Sequence, residues 1–364
     1  MVLQKLVAMM VLGAGLVSAH AQKLVLIDQD GTGPGESNQM AMQALLEAPE
    51  IKVLGITMVS GNGWMEESTQ HTLRMLELTG HKEIPLARGA TFPLVRDVHE
   101  ARLSAELYGK TSWFGAWGAG ALPSDGPQQA ATIKPKSHLP FAVPPLREGA
   151  PSIKAIDEDA VHFLIRQVHL HPHQVTIYAA GPMTNIAMAL AIDPEFAGLT
   201  QGLVLMGGSL NPQTEIVEFA THPRHEFNFW FDPEAAHRVL VADWPQVDVT
   251  TVDISVKTMY TAEMLDRIKK SSTPAAKYLA AWSENRYLMW DEITSCALVD
   301  PSIITKETEL YMDVDLSHGA NYGDVLTWSE ANKPATGFRK VHVQQDLDVP
   351  RFEKLFVDLI THER

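Results

Sequence analysis

The stretch LVLIDQDGTGPGESNQMAM, residues 24–42, decides how this chain is read. An apolar run ends on two aspartates, Asp28 and Asp30, and a glycine-rich turn then leads into QMAM. A buried strand, a tight turn and the start of a helix give this pattern. Carboxylates just past a strand stand where an open α/β sheet binds its ligand. Two chemistries suit them. A carboxylate can attack phosphorus and carry a phosphoryl group, and a set of carboxylates can hold a divalent ion beneath a sugar.

Outward from this stretch, the same alternation continues. Residues 23–28 read as a strand and 38–46 as the helix after it; 52–59 and 68–79 repeat the pair, as do 174–178 and 185–191. Residues 203–206 and 247–252 read as further strands, with a helix over 233–241 between them. Apolar strands alternating with helices predict an α/β fold: an open, mostly parallel central sheet with helices on both faces. The expected strand ends carry Asp28 with Asp30, Ser60-Gly61-Asn62, Ala180-Gly181, Gly207-Gly208 and Asp253. Small and acidic residues therefore gather where a polar ligand would sit. Residues 118–152 are rich in Gly, Pro and Ala without a period and read as a long insertion in one domain covering 22–364.

Composition narrows the partners. The chain has 364 residues, 45% hydrophobic and 20% charged, with a formal net charge of −15. So acidic a chain argues against nucleic acid or an anionic membrane as partner. Residues 1–21 combine Lys5, an apolar run over 6–17 and the sequence Ala19-His20-Ala21, the pattern of a signal peptide. Export to the periplasm or the outside, with cleavage after Ala21, is the expectation. Cys296 is the only cysteine, which excludes an internal disulfide and reads as a small buried apolar residue. The run HLHPHQ, residues 169–174, offers histidines without further zinc ligands and reads as a solvated turn.

Two families share parts of this pattern. DQDGT, residues 28–32, resembles the first motif of the haloacid-dehalogenase-like phosphatases, with Asp28 as nucleophile and Asp30 as acid/base. That family also needs a lysine at a later strand end and an acidic metal pair; Asp324 can pose for the pair, but no such lysine follows. The second resemblance runs along the whole chain. Nucleoside hydrolases of the inosine-uridine preferring family open on a motif of the form DxDPGxDDA. Here Asp28 and Asp30 match its first pair, and Pro34-Gly35 its PG after three inserted residues. ITMVSGNG (56–63), IYAAGPMTNIAMAL (177–190), LMGGS (205–209), HEFNFWFDPEAAHRVL (225–240) and WDEITSCALVDPSII (290–304) are similar to that family's later segments, in its order.

This resemblance implies hydrolysis of a ribonucleoside N-glycosidic bond with Ca²⁺ in the pocket, on a nucleoside-hydrolase-like, Rossmann-like fold. Carried over motif by motif, the metal ligands are Asp30, Asn38, the backbone carbonyl of Ala180, and Asp291. Asp30 is the general base toward a water. Asn62, Glu226, Asn228 and Asp291 grip the ribose hydroxyls, and Asp28 orients the loop from behind. The substrate is a small nucleoside-like molecule, and the family's dimers and tetramers suggest a homo-oligomer. Each residue also has a structural reading. The aspartates can satisfy turn N–H groups, Ser37 or Asn38 can cap a helix, Glu226 can be a solvated loop charge, and Asn62 can be a left-handed turn residue.

Departures from the family pattern are informative. Asn38 is an amide and Ser37 a hydroxyl where the family has carboxylates; Glu36 lies close enough to restore a charge. Trp290 precedes Asp291 where many relatives carry a histidine, and indole cannot act as an acid. Help to the leaving base must then come from stacking, from Tyr108, or from a base that leaves easily, with Trp64, Trp113, Trp117 and Trp230 as candidate pocket walls. A protein of this fold that binds its ligand without hydrolysing it is the alternative function.

Overall fold

The computed structural model describes residues 22–109, 111, 113–118, 139–285, 287–335 and 337–363. The expected signal peptide, and residues 119–138 of the expected insertion, lie outside the described residues. Nine strands form one sheet: β1 Lys23–Gln29, β2 Ile51–Met58, β3 Leu86–Arg88, β4 Val175–Ala180, β5 Gly202–Met206, β6 Val247–Thr250, β7 Ile304–Val314, β8 Val325–Trp328 and β9 Lys340–Leu347. The helices are α1 Ser37–Glu47, α2 Met65–Thr79, α3 Val98–Tyr108, α4 Ala160–Leu170, α5 Thr184–Ile192, α6 Val217–Thr221, α7 Phe227–Phe231, α8 Pro233–Leu240, α9 Val252–Ser255, α10 Ala262–Ile268, α11 Pro274–Trp282, α12 Asp291–Val299 and α13 Val349–Thr361.

Strand order is β3-β2-β1-β4-β5-β6-β9-β7-β8. The first seven strands of that order pair in parallel. Their side chains alternate between two apolar layers. Val25, Ile27, Tyr178, Val204 and Met206 join the layer that holds α1, α2 and α10–α13. Leu26, Ile177, Ala179, Leu203 and Leu205 join the layer under α4, α5 and α8. Each such fully buried aliphatic side chain contributes about 1.5–3 kcal/mol of transfer free energy, so the period-2 pattern fixes the register. Sheet and helix layers thus agree with the alternation in the sequence.

Two features differ from it. The strand expected to reach residue 252 ends at Thr250 and turns into α9. Asp253 consequently leaves the strand-end row: its carboxylate accepts the Leu210 and Asn211 backbone N–H groups, at 2.9 Å each. The second feature is the sheet's antiparallel end, where β7 pairs with β9 and β8 with β7. The exposed half of β7, ITKETEL, is too charged to signal a strand by hydrophobic alternation.

The chain leaves β1 for β2 on one side and returns to β4 on the other. At this reversal of strand order the connections diverge and open a crevice beyond the carboxyl ends of β1 and β4. Asp30 follows β1 directly, and Ala180 ends β4.

Candidate active site

Asp30 is fully buried, and glycines make room for it. A Cβ on Gly61 would fall onto Asp30 Oδ2, and one on Gly181 would lie 2.8 Å from Asp30 Cβ. Neither neighbour can therefore carry a side chain. The Asn62 N–H donates to Asp30 Oδ2 at 2.7 Å. Asp30 Oδ1 accepts from Asn38 Nδ2 at 2.9 Å and from Asn62 Nδ2 at 3.4 Å. Asn62 Oδ1 in turn accepts from the Trp113 indole at 2.6 Å.

Asp291 reaches the same place from the first turn of α12, whose N-terminal end favours a carboxylate. Its Oδ2 lies 2.9 Å from Asn38 Nδ2 and accepts from Gln29 Nε2 at 2.9 Å. Burial pushes the Asp291 carboxyl well above the ordinary carboxylate range, the neighbouring Glu292 adds to this, and the Gln29 and Asn38 hydrogen bonds oppose it. The Asn38 nitrogen is also 2.9 Å from Gln29 Oε1. An amide nitrogen with two hydrogens is thus surrounded by three oxygens. A turn of the amide about its terminal bond brings its oxygen to the same spot, and Ala180 lines the same cavity. The donor set is oxygen only, with a surplus of acceptors, which fits a hard cation such as Ca²⁺. Among the described residues no group of three or more His, Cys, Asp or Glu side chains is arranged to hold a metal. The set instead consists of two carboxylates plus amide and carbonyl oxygens.

The cavity of about 210 Å³ is closed by a second, aromatic wall: Trp113, Phe219, Trp282, Tyr287 and Trp290. Trp290 meets Phe219 edge-on, with ring centroids 5.7 Å apart.

The sequence model of the inosine-uridine preferring nucleoside hydrolases matches residues 25–354. The chain belongs to this family. The probable uridine nucleosidase 1 of Oryza sativa subsp. japonica is 26% identical over 347 residues, covering 91% of this chain and 94% of that protein. The inosine-uridine preferring nucleoside hydrolase of Crithidia fasciculata is 26% identical over 351 residues, 93% of this chain and 97% of its own length. Among solved structures, the plant nucleoside hydrolase PpNRh1 superposes with a TM-score of 0.70 at 24% identity, over 94% of this chain and 99% of its own. A purine-preferring ribonucleoside hydrolase from Gardnerella vaginalis also gives 0.70 at 24% identity, over 93% and 98%. These structures share the fold.

Measured against the family pattern, the expected residues fall into place unevenly. Asp30, Asn38, Asn62 and Asp291 form one hydrogen-bonded cluster. Glu226 and Asn228 line the same cavity, and Glu226 is no solvated charge. It is buried at the N-cap of α7 and accepts from the N–H groups of Asn228 (2.8 Å), Gly208 (3.0 Å) and Phe229 (3.1 Å). Its carboxyl is raised by burial and lowered by those bonds. Asn228 Nδ2 donates to the Met206 carbonyl at 3.1 Å, so its side-chain oxygen remains for a ligand. The helix-cap reading of Asn38 fails because α1 already begins at Ser37 with Glu36 at its N-cap. The left-handed reading of Asn62 fails as well: His173 is the non-glycine residue with positive φ among the described ones.

Asp28 lies apart from the cavity lining. It is buried, bonded by Thr57 Oγ1 at 2.5 Å and Asn185 Nδ2 at 2.8 Å, and burial lifts its carboxyl to about 6 despite both bonds. Those bonds tie Asp28 to the structure behind the site, and the family match over residues 25–354 is to nucleoside hydrolases, so the phosphatase reading falls. Asn185 also donates to the Met58 carbonyl at 3.1 Å and accepts the Ala90 N–H at 2.8 Å. It ties the loops after β2 and β3 to the back of the site.

Other expectations need correction. Glu36 lines the cavity, and its carboxylate accepts from Thr32 Oγ1. Tyr108 is 51% exposed at the end of α3 and does not belong to the cavity lining. Trp117 and Trp230 are buried in a small aromatic core with Phe114 and Phe231, and Trp64 packs edge-on against Phe92. Of the four candidate tryptophan walls only Trp113 lines the cavity, joined by Trp282 and Trp290. His169 lies in the last turn of α4 and pairs with Asp193 at 2.7 Å, while His173 sits in a turn with φ 60°, so the expected turn begins after Leu170. Two participants were missed, Gln29 and Glu292. A polar residue closing an apolar strand, and a second acid directly after Asp291, were the available signals.

Proposed function

We propose that this protein hydrolyses the N-glycosidic bond of ribonucleosides, with Asp30 as general base. The observation that carries the reading is the meeting of Asp30 and Asp291, from opposite ends of the chain, on one Asn38 nitrogen at 2.9 Å each. Asn38, Asn62, Glu226, Asn228 and Asp291 line one cavity, and Asp30 is buried directly behind Asn38 and Asn62, which supports it. Relatives named as uridine nucleosidases and as an inosine-uridine preferring hydrolase point to the same bond.

Asp30, Asn38, the Ala180 carbonyl and Asp291 would hold Ca²⁺. When bound, the ion supplies an acidified water and a grip on ribose hydroxyls. The residues then divide the work. Asp30 receives the proton of the water that adds to C1′, while the C1′–N bond breaks and its electron pair leaves with the base. The buried negative charge of Asp30 and Asp291 favours the oxocarbenium-like sugar. Asn62 holds both Asp30 oxygens, which fixes the base's direction without a flexible partner. Glu226 and Asn228 face the sugar. Trp290 and Phe219 offer stacking to the departing base, because an indole has no proton of useful acidity to give.

The test is ribose release from a panel of purine and pyrimidine ribonucleosides, with Ca²⁺ added and with Ca²⁺ chelated. Turnover that requires Asp30 supports the reading. Ligand binding without release of free base would make the protein a binding member of this fold. Export and self-association are part of the same proposal; a mature chain beginning at Gln22 and a multimer by light scattering are the results expected.

A further inference from the structure

The sheet face that α12 covers breaks its apolar pattern at one place. Tyr178, Val204 and Met206 on this face belong to the apolar layer that holds α12. Thr176, Asp248 and Gln344 share the face, because Ile177, Val247, Val249 and Val343 point into the opposite layer. Polar side chains on β4, β6 and β9 thus stand where strand alternation calls for apolar ones. Between β4 and β6, strand β5 opens on Gly202, which puts no side chain into the gap. The result is a groove of about 690 Å³ toward the amino ends of the strands, the end opposite the catalytic cavity. Its other wall is apolar: Ala297 and Leu298 in the last turn of α12, and Pro301 after it. Gln344 is only 6% exposed. Its Oε1 accepts from Thr250 Oγ1 at 2.8 Å, and its Nε2 has no hydrogen-bond partner among the described residues. Asp248 is half-buried and accepts from Gln246 Nε2 at 2.9 Å on each oxygen, which leaves lone pairs open. A buried amide donor without a partner costs stability, so folding alone gives no reason for it.

We propose that this groove is a second, non-catalytic binding site for a neutral, hydroxyl-rich ligand of the monosaccharide class. The lining selects against other ligands. Lys23 is engaged with the Leu298 carbonyl at 2.8 Å, and Asp248 and Glu307 are acidic, so an anion meets more negative than positive charge. No Phe, Tyr or Trp lines the groove among the described residues, so a nucleobase finds no stacking partner. A sugar hydroxyl both donates and accepts. One hydroxyl donates to Asp248, another accepts from Gln344 Nε2, and the C–H face of the ring lies against Leu298 and Pro301. The Thr176 hydroxyl, on the same face, can serve either way.

This inference does not depend on the hydrolysis proposed above. Equilibrium dialysis of the purified protein against labelled D-ribose, D-glucose and D-galactose tests it, with nucleoside turnover measured in parallel. At least one of the three sugars should bind saturably, with a dissociation constant on the order of 1 mM or below. Asp248→Asn should weaken that binding about 10-fold, and Gln344→Met about 3- to 10-fold. Neither variant should change turnover per folded molecule, because both positions lie away from the catalytic cavity. Asn228→Ala, inside that cavity, should leave this sugar binding unchanged, which separates it from any ribose held at the catalytic site. If Gln344→Met does not fold because the Thr250 hydroxyl loses its acceptor, Gln344→Glu keeps the acceptor and still removes the donor. Saturable binding of none of the three sugars, or binding that both Asp248→Asn and the Gln344 variant leave intact, would overturn the inference. So would sugar binding that is lost with Asn228→Ala, since the catalytic cavity would then be the only site occupied.

Discussion

The two walls of the cavity are built on different principles. One stands on the ends of β1 and β4 and the first turns of α1 and α12, and its polar atoms hold each other. Asp30 is bonded by Asn38 and Asn62, and Asp291 by Gln29 and Asn38. The other wall, Trp113, Phe219, Trp282, Tyr287 and Trp290, comes from loops and short helices, and within it Trp290 meets Phe219 edge-on. A sheet fixes its strand ends against displacement, whereas the aromatic side chains sit on connections and short helices, where Trp282, Tyr287 and Trp290 pack against the core layer. In the hydrolysis proposed above, the polar wall carries the reaction and the aromatic wall selects the base.

The strongest way to break this division is Asp30→Asn. It removes the base while keeping the hydrogen-bond shape, and kcat should fall about 10²–10⁴-fold with KM for ribonucleosides changed much less. A comparable fall in KM and kcat together would mean that Asp30 only shapes the wall. Next in size is Asn38→Asp. Three carboxylates in place of two should tighten Ca²⁺ on the order of tenfold by isothermal titration. Equal affinities would show that the Asn38 side chain does not face the ion. On the aromatic wall, Trp290→Ala should raise KM about 3- to 10-fold through lost stacking, with Trp290→Phe retaining most of the affinity. A collapse of kcat instead would place Trp290 in the chemistry.

The smallest effect on the cavity, none, is expected from Asp232, which lies on neither wall. Burial raises its carboxyl from 3.8 to about 6, against bonds from Thr184 and the Leu94 and Ala235 N–H groups. Its folded pKa lies above the unfolded value, so between those two pH values the native state binds the extra proton. Stability from this group is thus present at low pH and lost as pH rises through about 4 to 6, by at most on the order of 3 kcal/mol. Urea unfolding across pH 4–7 should show a shallower slope in Asp232→Asn than in the wild type, Asp28 and the other buried carboxyls keeping the rest, with turnover per folded molecule the same in both. A slope unchanged by the substitution would show that Asp232 does not contribute to it.

The sequence reveals the polar wall better than the aromatic one, and the reason is physical. Strand ends are marked by the switch from an apolar run to Asp30, Gly61-Asn62 or Ala180-Gly181, so order along the chain nearly dictates position in space. Gln29 escaped because a strand's alternation suggests that its side chain points away from those of Asp28 and Asp30. The structure instead turns Asp28 toward Thr57 and Asn185, and groups Gln29 with Asp30. The aromatic wall has no such grammar. Trp64, Trp117 and Trp230 fill a core, while Trp282 at the end of α11 and Trp290 before α12 reach the cavity. Which tryptophan does which depends on packing between segments far apart in the chain. The antiparallel end of the sheet was hidden for a related reason. β7 draws its pairing from β8 and β9, and its exposed half is charged.

Release of free base and ribose from uridine and inosine by the purified protein, with Ca²⁺ and with chelator, tests the central claim most directly. The account predicts Ca²⁺-stimulated hydrolysis by the wild type that Asp30→Asn abolishes. Nucleosides bound but left intact at every Ca²⁺ concentration, or hydrolysis undiminished in Asp30→Asn, would contradict it.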